Sequence, residues 1–336
     1  MANLVSHCLT TSDAHLVTRP EPTRSVGGGG LCDLFLGTYV PTGQKLAMKR
    51  AKLSMQTTHE VATTIRRFGR EADTWSNLTH DHILPFYGIM EISNEIYLVS
   101  PWMEYGDLSR FLTSRLEFLK YKGDLRHRDK NPRKIAYRRF RESDAVHGIA
   151  SGLAYLHMQN IVHGDLKALN VLLTEELMPR ICDFGLSKFK DGQNATSCTM
   201  QGAGSWRWMS PEVMDGGSKT FESDIYAFGM IVVEVLSGFV PLPDLFQVRF
   251  IRAIMKGQRP PCEPASRLGQ DFTRLWKIAS ACWVSDPSKR PAADHIVDFI
   301  EGAVPIILPA SGRRKVSGMI KGFQGLWTGS RDFASD

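Results

Sequence analysis

The sequence is poor in cysteine, and its six cysteines form no pattern that binds a metal or indicates disulfides. They lie at positions 8, 32, 182, 198, 262 and 282, without a Cys-X-X-Cys pair or a Cys/His cluster. Structural zinc sites need closely spaced ligands and small secreted scaffolds need paired cysteines, so neither class is indicated. Scattered thiols are typical of a reducing compartment. We therefore expect a cytoplasmic protein, with entry into the nucleus left open.

The sequence also lacks a long apolar run. No stretch reaches the roughly 18 uninterrupted apolar residues of a membrane span. The start, MANLVSHCLTTSDAH, has neither the basic region nor the apolar segment of a secretory leader, so we expect neither a leader nor a membrane span. Hydrophobic residues nevertheless make up 43% of the 336 residues, and aromatic residues make up 10%. Because that content can fill a sizeable core, collagenous, wholly disordered and mini-protein classes are excluded.

Strand patterns dominate the first hundred residues. Alternation from Leu31 to Lys49, with a turn at Pro41-Thr42-Gly43, predicts a β-hairpin, and apolar runs at 83–90 and 95–100 predict two more strands. Between them, residues 58–78 have the apolar spacing of an amphipathic helix. Its predicted buried stripe is Val61, Ile65, Phe68, Ala72 and Trp75.

Helical patterns dominate after Trp102. Ser143 or Asp144 can cap a helix with one apolar face. The segment 224–236 is apolar nearly all round, which predicts a buried helix ended by Gly238. The predicted fold class is therefore α+β, a small antiparallel-sheet lobe with one helix followed by a larger helical lobe, without internal repeats. The face of the capped helix is Val146, Ile149, Ala150, Leu153 and Leu156.

The hairpin region contains a candidate phosphate-binding site. A run of glycines, Gly27 to Gly30, precedes the first strand, and backbone N–H groups of such a loop can approach phosphate oxygens. A plain flexible loop has the same composition. Lys49 ends the second strand, and the following helix presents Glu71. A lysine oriented by a glutamate is well suited to bind phosphate.

Two later segments carry the chemistry: His163 to Asn170, with the sequence HGDLKALN, and Asp183 to Gly185, with the sequence DFG. Phosphoryl transfer needs carboxylate and amide oxygens for Mg²⁺, a carboxylate near the attacking hydroxyl and a cation near the moving phosphoryl group. These segments supply all of them. We therefore predict phosphoryl transfer with Mg²⁺ as a cofactor.

With these motifs the sequence resembles the eukaryotic protein kinase family over roughly residues 26–300, and the resemblance implies ATP as the second cofactor. The resemblance continues through Ser210-Pro211-Glu212, which is similar to the family's Ala-Pro-Glu, and through Asp224 and Arg290. In detail it looks most like tyrosine-kinase-like Ser/Thr kinases of the fungal type. The implied organisation is a bilobal kinase fold with a tail at 1–25, an N-lobe at 26–101, a C-lobe at 102–304 and a tail at 305–336.

The resemblance implies catalytic roles for four residues and protein substrates for the reaction. Lys49 contacts the α and β phosphates, and Glu71 holds Lys49 in place. Asp165 accepts the hydrogen bond of the substrate hydroxyl, and Lys167 stabilises charge on the γ-phosphoryl group. Ser/Thr specificity is favoured over Tyr, because Ser/Thr kinases of this family carry the lysine two residues after the catalytic aspartate.

Further roles follow from the same resemblance. Glu212 and Arg290 are expected to form a buried ion pair that is structural and not catalytic. Pro101 has no N–H, but the family uses only the carbonyl at that place. The implied metal ligands are Asn170 and Asp183, and the implied nucleotide-binding residues are Gly27, Gly29, Leu34, Ala47, Lys49, Pro101, Met103 and Leu172.

Several positions depart from the family pattern or refine it. Cys32 stands where the third glycine of the phosphate loop is usual, which predicts weaker or slower nucleotide handling. Gly164 replaces the arginine that pairs with a phosphorylated activation segment, so we predict activity that does not depend on phosphorylation through that contact. Ser100 occupies the gatekeeper position, and its small size predicts an enlarged pocket behind adenine.

Basic charge is concentrated in the segment 118–141. The whole chain has a net charge of +6, whereas this segment alone has ten basic and two acidic residues, a net charge of +8. Such a segment is typical of a solvated loop, and docking of an acidic protein, anionic lipid or nucleic acid is the alternative. We expect no specific nucleic-acid binding.

Two other functions stay open at this stage. A pseudokinase that binds partners without transferring phosphate is favoured by Cys32 and Gly164, although the predicted polar catalytic positions are all occupied. A small-molecule kinase of the aminoglycoside or choline type is favoured by the His-Gly-Asp sequence. The DFG segment, Ser210-Pro211-Glu212 and Arg290 favour a protein substrate instead.

Overall fold

Strands from the first hundred residues form an antiparallel sheet in the order β1-β2-β3-β5-β4. The computed structural model describes residues 9–18, 25–28, 32–52, 58–93, 95–120, 131–189, 205–261 and 269–305. The strands of the sheet are β1 (Gly27–Gly28), β2 (Cys32–Tyr39), β3 (Gln44–Ala51), β4 (Gly88–Ile92) and β5 (Glu95–Pro101).

The predicted hairpin is confirmed as β2 and β3, which pair from Cys32 opposite Ala51 to Tyr39 opposite Gln44. Gly43 adopts a φ of 73° in the turn, a conformation that favours glycine. Alternation sends Phe35 and Met48 into an apolar cluster on one face of the sheet. The opposite face, which carries Lys49, is left to line the cleft below the sheet.

Helix α1 (Thr58–Ser76) confirms the predicted helix but not its whole buried stripe. Ile65 is 54% exposed, whereas its neighbour Thr64 is buried. The prediction counted apolar residues alone, and the face that packs includes two polar residues, Thr64 and Glu71, together with Ala72 and Trp75. Val61 lies among the residues whose side chains are not described.

The predicted strand at 83–90 begins only at Gly88. The preceding residues are bonded to the other lobe: Leu84 N–H donates to the Ile181 carbonyl (2.9 Å), and Ile181 N–H donates to the His82 carbonyl (2.8 Å). Pro85 has no N–H to give to a sheet. The apolar residues at 83–84 therefore join the two lobes, and the bonds to the sheet begin at Tyr87, whose N–H donates to the Val99 carbonyl (2.8 Å).

In the described residues the larger lobe is built from helices and two pairs of short antiparallel strands. Beyond β5, the strands are β6 (Ile161–Val162), β7 (Val171–Leu173), β8 (Pro179–Ile181) and β9 (Lys188–Phe189). The helices are α2 (Leu108–Lys120), α3 (Pro132–Arg139), α4 (Glu142–Met158), α5 (Pro211–Met214), α6 (Phe221–Ser237), α7 (Gln247–Met255), α8 (Gly269–Cys282) and α9 (Ala293–Glu301).

Helices α4 and α6 form the centre of this lobe. The predicted apolar face of α4 is buried throughout, but the helix begins at Glu142, and neither Ser143 nor Asp144 caps it. Glu142 is held by Arg115, whose guanidinium lies 2.7 Å from its carboxylate. Helix α6 is buried over nearly its whole length and ends, as predicted, at Gly238 in the left-handed conformation.

The basic segment 118–141 is not the continuous solvated loop that was expected. Helix α2 extends to Lys120, residues 121–130 lie outside the described residues, and α3 follows. Three residues of the segment, Ala136, Tyr137 and Phe140, are buried against the aromatic side chains of α2. These apolar residues give the segment a packed face.

The sheet lobe with one long helix, followed by a larger helical lobe, confirms the predicted fold class. In the part of the chain that the structure describes, no helix combines the length and apolarity needed to cross a membrane.

Candidate active site

The carboxylate of Asp224 accepts two backbone hydrogen bonds from the start of the segment that runs from His163 to Asn170. The His163 N–H donates to its Oδ2 (2.8 Å), and the Gly164 N–H donates to its Oδ1 (2.9 Å). Asp224 is 2% exposed and lies in the first turn of α6, the most buried helix of the lobe. The polar segment is therefore fixed to the rigid centre of the larger lobe.

Four predicted site residues and Ser205 meet on this segment. Lys167 Nζ lies 2.7 Å from Asp165 Oδ2 and donates to Ser205 Oγ at 2.8 Å. Asn170 Nδ2 donates to the Asp165 carbonyl (2.8 Å) and to its Oδ2 (3.2 Å). Because the amide nitrogen of Asn170 donates its hydrogen bonds to Asp165, the amide oxygen of Asn170 is the atom that is able to ligate a cation. The Cys182 N–H donates to the Asn170 carbonyl (2.9 Å), which places Asp183 beside them.

Lys49 joins the two lobes through two carboxylates. Its Nζ lies 2.6 Å from Glu71 Oε1 and 3.1 Å from Asp183 Oδ1. Burial alone would lower the pKa of Lys49, but the charges of Asp183 and Glu71 raise it, so the ammonium stays charged. Burial acts to raise the pKa of Asp183, and the ammonium of Lys49 outweighs it and lowers that pKa. Asp183 is therefore an ionised carboxylate.

Phe184 fixes the backbone next to Asp183. Its ring is 1% exposed and packs at 6.1 Å from the ring of Trp75 on α1 and at 5.6 Å from the ring of His163. Asp183 itself has a φ of 68°, an uncommon conformation for a residue other than glycine. The packed Phe184 ring supports this conformation, which aims the carboxylate toward Lys49.

The predicted nucleotide-binding residues come from both sides of the cleft. Leu34 pairs with Lys49 and Ala47 pairs with Ser100, so alternation puts these side chains on the cleft face of the sheet. Leu172 lies on β7 of the helical lobe, bridged to Asp107. Gly27 pairs with Leu34 in the edge strand of the sheet, Pro101 ends β5 and Met103 follows it, and Gly29 lies outside the described residues.

The donors present fit the chemistry of Mg²⁺. In the described residues, no group of three or more His, Cys, Asp or Glu side chains forms a metal cage. Mg²⁺ does not need one, since it is usually bound by one or two protein oxygens together with water and substrate phosphates. The ionised carboxylate of Asp183 and the amide oxygen of Asn170 are ligands of this kind.

Cys32, at the start of β2, lies within the electrostatic reach of this site. Burial raises the pKa of its thiol to about 11. The thiol is therefore protonated at neutral pH and is a poor nucleophile.

Glu234 is a buried site residue that sequence reasoning missed. It is 2% exposed in α6, and it accepts hydrogen bonds from Trp208 Nε1 (2.5 Å), the Ala168 N–H and the Ser109 hydroxyl. It thus connects the segment after Ser205 with the segment that carries Lys167. The sequence does contain a signal that could have identified Glu234, because it is the one charged residue in the otherwise apolar stretch 225–236.

A lysine between two carboxylates, above a partly buried cluster of Asp165, Lys167 and Asn170 and between a sheet lobe and a helical lobe, defines a phosphotransferase of the protein-kinase class. A profile of the family described as "Protein tyrosine and serine/threonine kinase" matches residues 21–300. The chain belongs to this family. The predicted kinase resemblance is therefore confirmed at the level of the family.

A curated relative places the chain beside a larger protein. The chain is 29% identical over 295 residues to "L-type lectin-domain containing receptor kinase I.3" of Arabidopsis thaliana, and the alignment covers 84% of the chain and 40% of the relative. The chain thus spans less than half the length of this relative. The relative is a plant protein, so it gives no support to the predicted fungal type.

Proposed function

We propose that the chain transfers the γ-phosphoryl group of Mg·ATP to Ser and Thr hydroxyls of proteins in intracellular signalling. One observation carries the proposal: Lys167 lies within hydrogen-bond distance of both Asp165 and Ser205, next to Asn170 and the Lys49–Asp183 pair. This arrangement puts a carboxylate, a cation and metal-ligand oxygens around one position.

In this mechanism each residue has one task. Asp165 accepts the hydrogen bond of the substrate hydroxyl and orients its oxygen, and Lys167 stabilises the negative charge on the moving phosphoryl group. Lys49 holds the α and β phosphates, with Glu71 fixing its position. Asn170 and Asp183 would hold Mg²⁺, which neutralises phosphate charge when bound.

The bond from Lys167 to Ser205 supports Ser/Thr specificity. It joins the lysine that follows the catalytic aspartate to the segment before Ser210-Pro211-Glu212, where the Ser/Thr kinases of the family carry Ser or Thr. Sequencing of the phosphorylated residues tests the specificity directly.

Gly164 supports activity without phosphorylation of the activation segment. Its φ is 76°, and an added Cβ would lie 3.0 Å from the Leu186 carbonyl oxygen, so the position suits glycine better than arginine. We expect alanine at Thr196, Ser197 and Thr199, which lie outside the described residues, to leave activity intact. Ser205→Ala is tested separately because Ser205 contacts Lys167. Loss of activity in the triple variant with an intact fold would contradict this part of the proposal.

The main experiment incubates the purified chain with Mg·ATP and a degenerate peptide mixture, and maps the hydroxyls that gain phosphate. Lys49→Met and Asp183→Asn should abolish incorporation while circular dichroism stays unchanged. Lys45→Met is the matched control, because Lys45 lies on the same strand and its side chain is 56% exposed. Equal incorporation by the wild type and both site variants would overturn the proposal.

Two alternatives are outcomes of the same experiment. Nucleotide binding without phosphate transfer would favour a pseudokinase that acts as a binding scaffold. Phosphorylated small alcohols without phosphopeptides would favour a small-molecule kinase. The Glu212–Arg290 pair, with distances of 2.7 and 2.8 Å, supports the protein-kinase assignment, because a pair of these residues is expected from that resemblance. The guanidinium is buried as expected, whereas the Glu212 side chain is 28% exposed.

Three finer points belong to this proposal. The lobes are taken as 26–101 and 102–304 with tails at 1–25 and 305–336, and the reaction is placed in the cytoplasm on the basis of the scattered cysteines.

The basic segment 118–141 is proposed to bind an acidic partner, supported by the exposed Arg133, Arg138 and Arg139 of α3. The test measures salt-dependent binding of polyglutamate before and after deletion of 121–130 together with alanine substitution of these arginines. Unchanged binding would contradict the proposed acidic partner.

A further inference from the structure

The far face of the sheet carries a row of charged side chains at the open end of the β2–β3 hairpin. Asp33 on β2 lies directly opposite Arg50 on β3. Its Oδ2 lies 3.3 Å from the Arg50 guanidinium, and its Oδ1 lies 3.1 Å from the Nζ of Lys52, just after β3. Both carboxylate oxygens of Asp33 are therefore bound to cations from the end of the neighbouring strand.

A second carboxylate extends this network to β5. Arg50 also forms an ion pair with Glu95, which accepts a hydrogen bond from the Tyr97 hydroxyl (2.9 Å). The Arg50 guanidinium lies over the ring of Phe35, 4.6 Å from its centroid. The side chains of Asp33 and Arg50 are only 20% and 19% exposed. Isolated ion pairs on a surface contribute little, whereas a half-buried network of several charges holds its strands together.

The network and the candidate active site lie on opposite faces of the sheet but at the same end of the hairpin. Leu34 pairs with Lys49, and Gly27 of β1 pairs with Leu34. Among the described strands, β1 is the edge strand and bonds only to β2. Strand ends far from their turn separate most easily, because few contacts hold them. The positions of Gly27 and Leu34 therefore depend on how firmly the start of β2 is tied to the end of β3.

The charge of Asp33 and its position in the sheet have opposite effects on a nucleotide. Asp33 is an acidic residue between positions that are proposed to bind the nucleotide, so its charge alone repels phosphate and weakens binding. Fixing the start of β2 strengthens binding instead, because residues that are already in place lose less conformational entropy when the ligand binds. One substitution that removes the charge therefore distinguishes the two roles by the sign of its effect.

We propose that Asp33 is a positioning residue for nucleotide binding. Its bonds to Arg50 and Lys52 tie the start of β2 to the end of β3. Gly27 and Leu34 are thereby kept in place for the nucleotide, although Asp33 itself makes no contact with it. This inference rests on the proposed kinase function, which it deepens by assigning a role to charged residues on the face of the sheet that is turned away from the cleft.

Equilibrium binding of a fluorescent ATP analogue with Mg²⁺ to the full chain tests this role without catalysis. Asp33→Asn keeps the size of the side chain and removes its charge, and we expect it to weaken binding at least about threefold. Glu95→Gln is the matched control, because it removes one carboxylate from Arg50 but leaves both cations on Asp33. It should weaken binding by less than about twofold. Unchanged or tighter binding by Asp33→Asn, or equal weakening by the control, would overturn the proposal.

A second set of variants tests whether Asp33 acts through its two cations. Arg50→Gln combined with Lys52→Gln should weaken nucleotide binding. In that background Asp33→Asn should cause no further weakening, because the bonds that it would break are already absent. Further weakening by Asp33→Asn in the double variant would show that Asp33 acts in another way, and would refute the positioning role.

Hydrogen exchange and kinetics separate this role from a general loss of structure. The Val26 N–H donates to the Leu34 carbonyl (2.8 Å), and its exchange should become faster in Asp33→Asn, whereas exchange of the Tyr87 N–H, bonded to Val99, should not change. Asp33→Asn should raise KM for ATP and leave KM for the acceptor peptide unchanged. Faster exchange at both amides, or a rise in both KM values, would count against positioning. A wild type that binds nucleotide without transferring phosphate refutes the proposed function alone, and one that binds no nucleotide overturns the positioning role.

Discussion

Replacing Glu234 with glutamine should remove a large part of the pH dependence of stability. Glu234 is buried in α6 and accepts hydrogen bonds from Trp208, Ala168 and Ser109, but no basic side chain neutralises it. Burial raises its pKa from 4.5 to about 8, with the charge of Asp107 acting in the same direction. The folded protein therefore holds a neutral carboxylic acid at this position at neutral pH.

The sign and size of the effect follow from linkage. A carboxyl whose pKa is higher in the folded state contributes full stability below the unfolded value of 4.5, and this contribution is lost as pH rises to about 8. At roughly 1.4 kcal/mol per pH unit, the loss is at most about 5 kcal/mol. Glutamine stays neutral, so Glu234→Gln avoids that loss. Its amide group fits the three donors less well, at a pH-independent cost of about 1–3 kcal/mol.

Urea unfolding at pH 5, 7 and 9 measures the prediction. Wild type should be the more stable protein at pH 5, and Glu234→Gln should be the more stable protein at pH 9. Glu222→Gln, in the first turn of the same helix, is the control for removing a carboxylate from α6. A Glu234→Gln difference that is the same at all three pH values would refute the reasoning.

Three further predictions concern packing and buried charge. Glu212→Gln should lower the free energy of unfolding by on the order of 3–5 kcal/mol, because it leaves the fully buried guanidinium of Arg290 without its counter-charge, and denaturant melts at constant ionic strength would show it. Gly152→Ala should destabilise α4 by about 1–3 kcal/mol despite the better helix propensity of alanine, because the new Cβ would lie 2.8 Å from the His82 carbonyl oxygen. Gly69→Ala, in the open middle of α1, should instead stabilise by up to about 1 kcal/mol. Equal shifts in melting temperature for the two glycine variants would contradict the packing argument.

Local patterns predicted most of the fold. The β2–β3 hairpin and the end of α6 at Gly238 follow from alternation and from a glycine stop, which depend on neighbouring residues. Errors arose where tertiary contacts decide. Ile65 is exposed because the α1 face that packs includes Thr64 and Glu71. The run from 83 does not begin as a strand of the sheet, because Leu84 bonds to β8 and Pro85 has no N–H to donate.

The site was predictable in its components but not in its connections. Lys49 and Asp183 are 134 positions apart, and no spacing rule indicates that one ammonium contacts both Glu71 and Asp183. The resemblance to kinases supplied that expectation. Glu234 was overlooked because a single acidic residue in an apolar helix is not itself a motif, and its meaning comes only from Trp208 and Ala168, which reach it from distant segments.

The attachment of α1 has a consequence for motion. Trp75 donates to the Leu84 carbonyl (2.5 Å) and packs near Phe184, so the end of α1 shares an apolar cluster with the helical lobe, while the far face of the sheet has a separate cluster. We therefore expect the molecule to bend between the sheet and α1. Opening of the cleft then pulls Lys49 away from Glu71 and Asp183 together, and their distances report how far the cleft is closed.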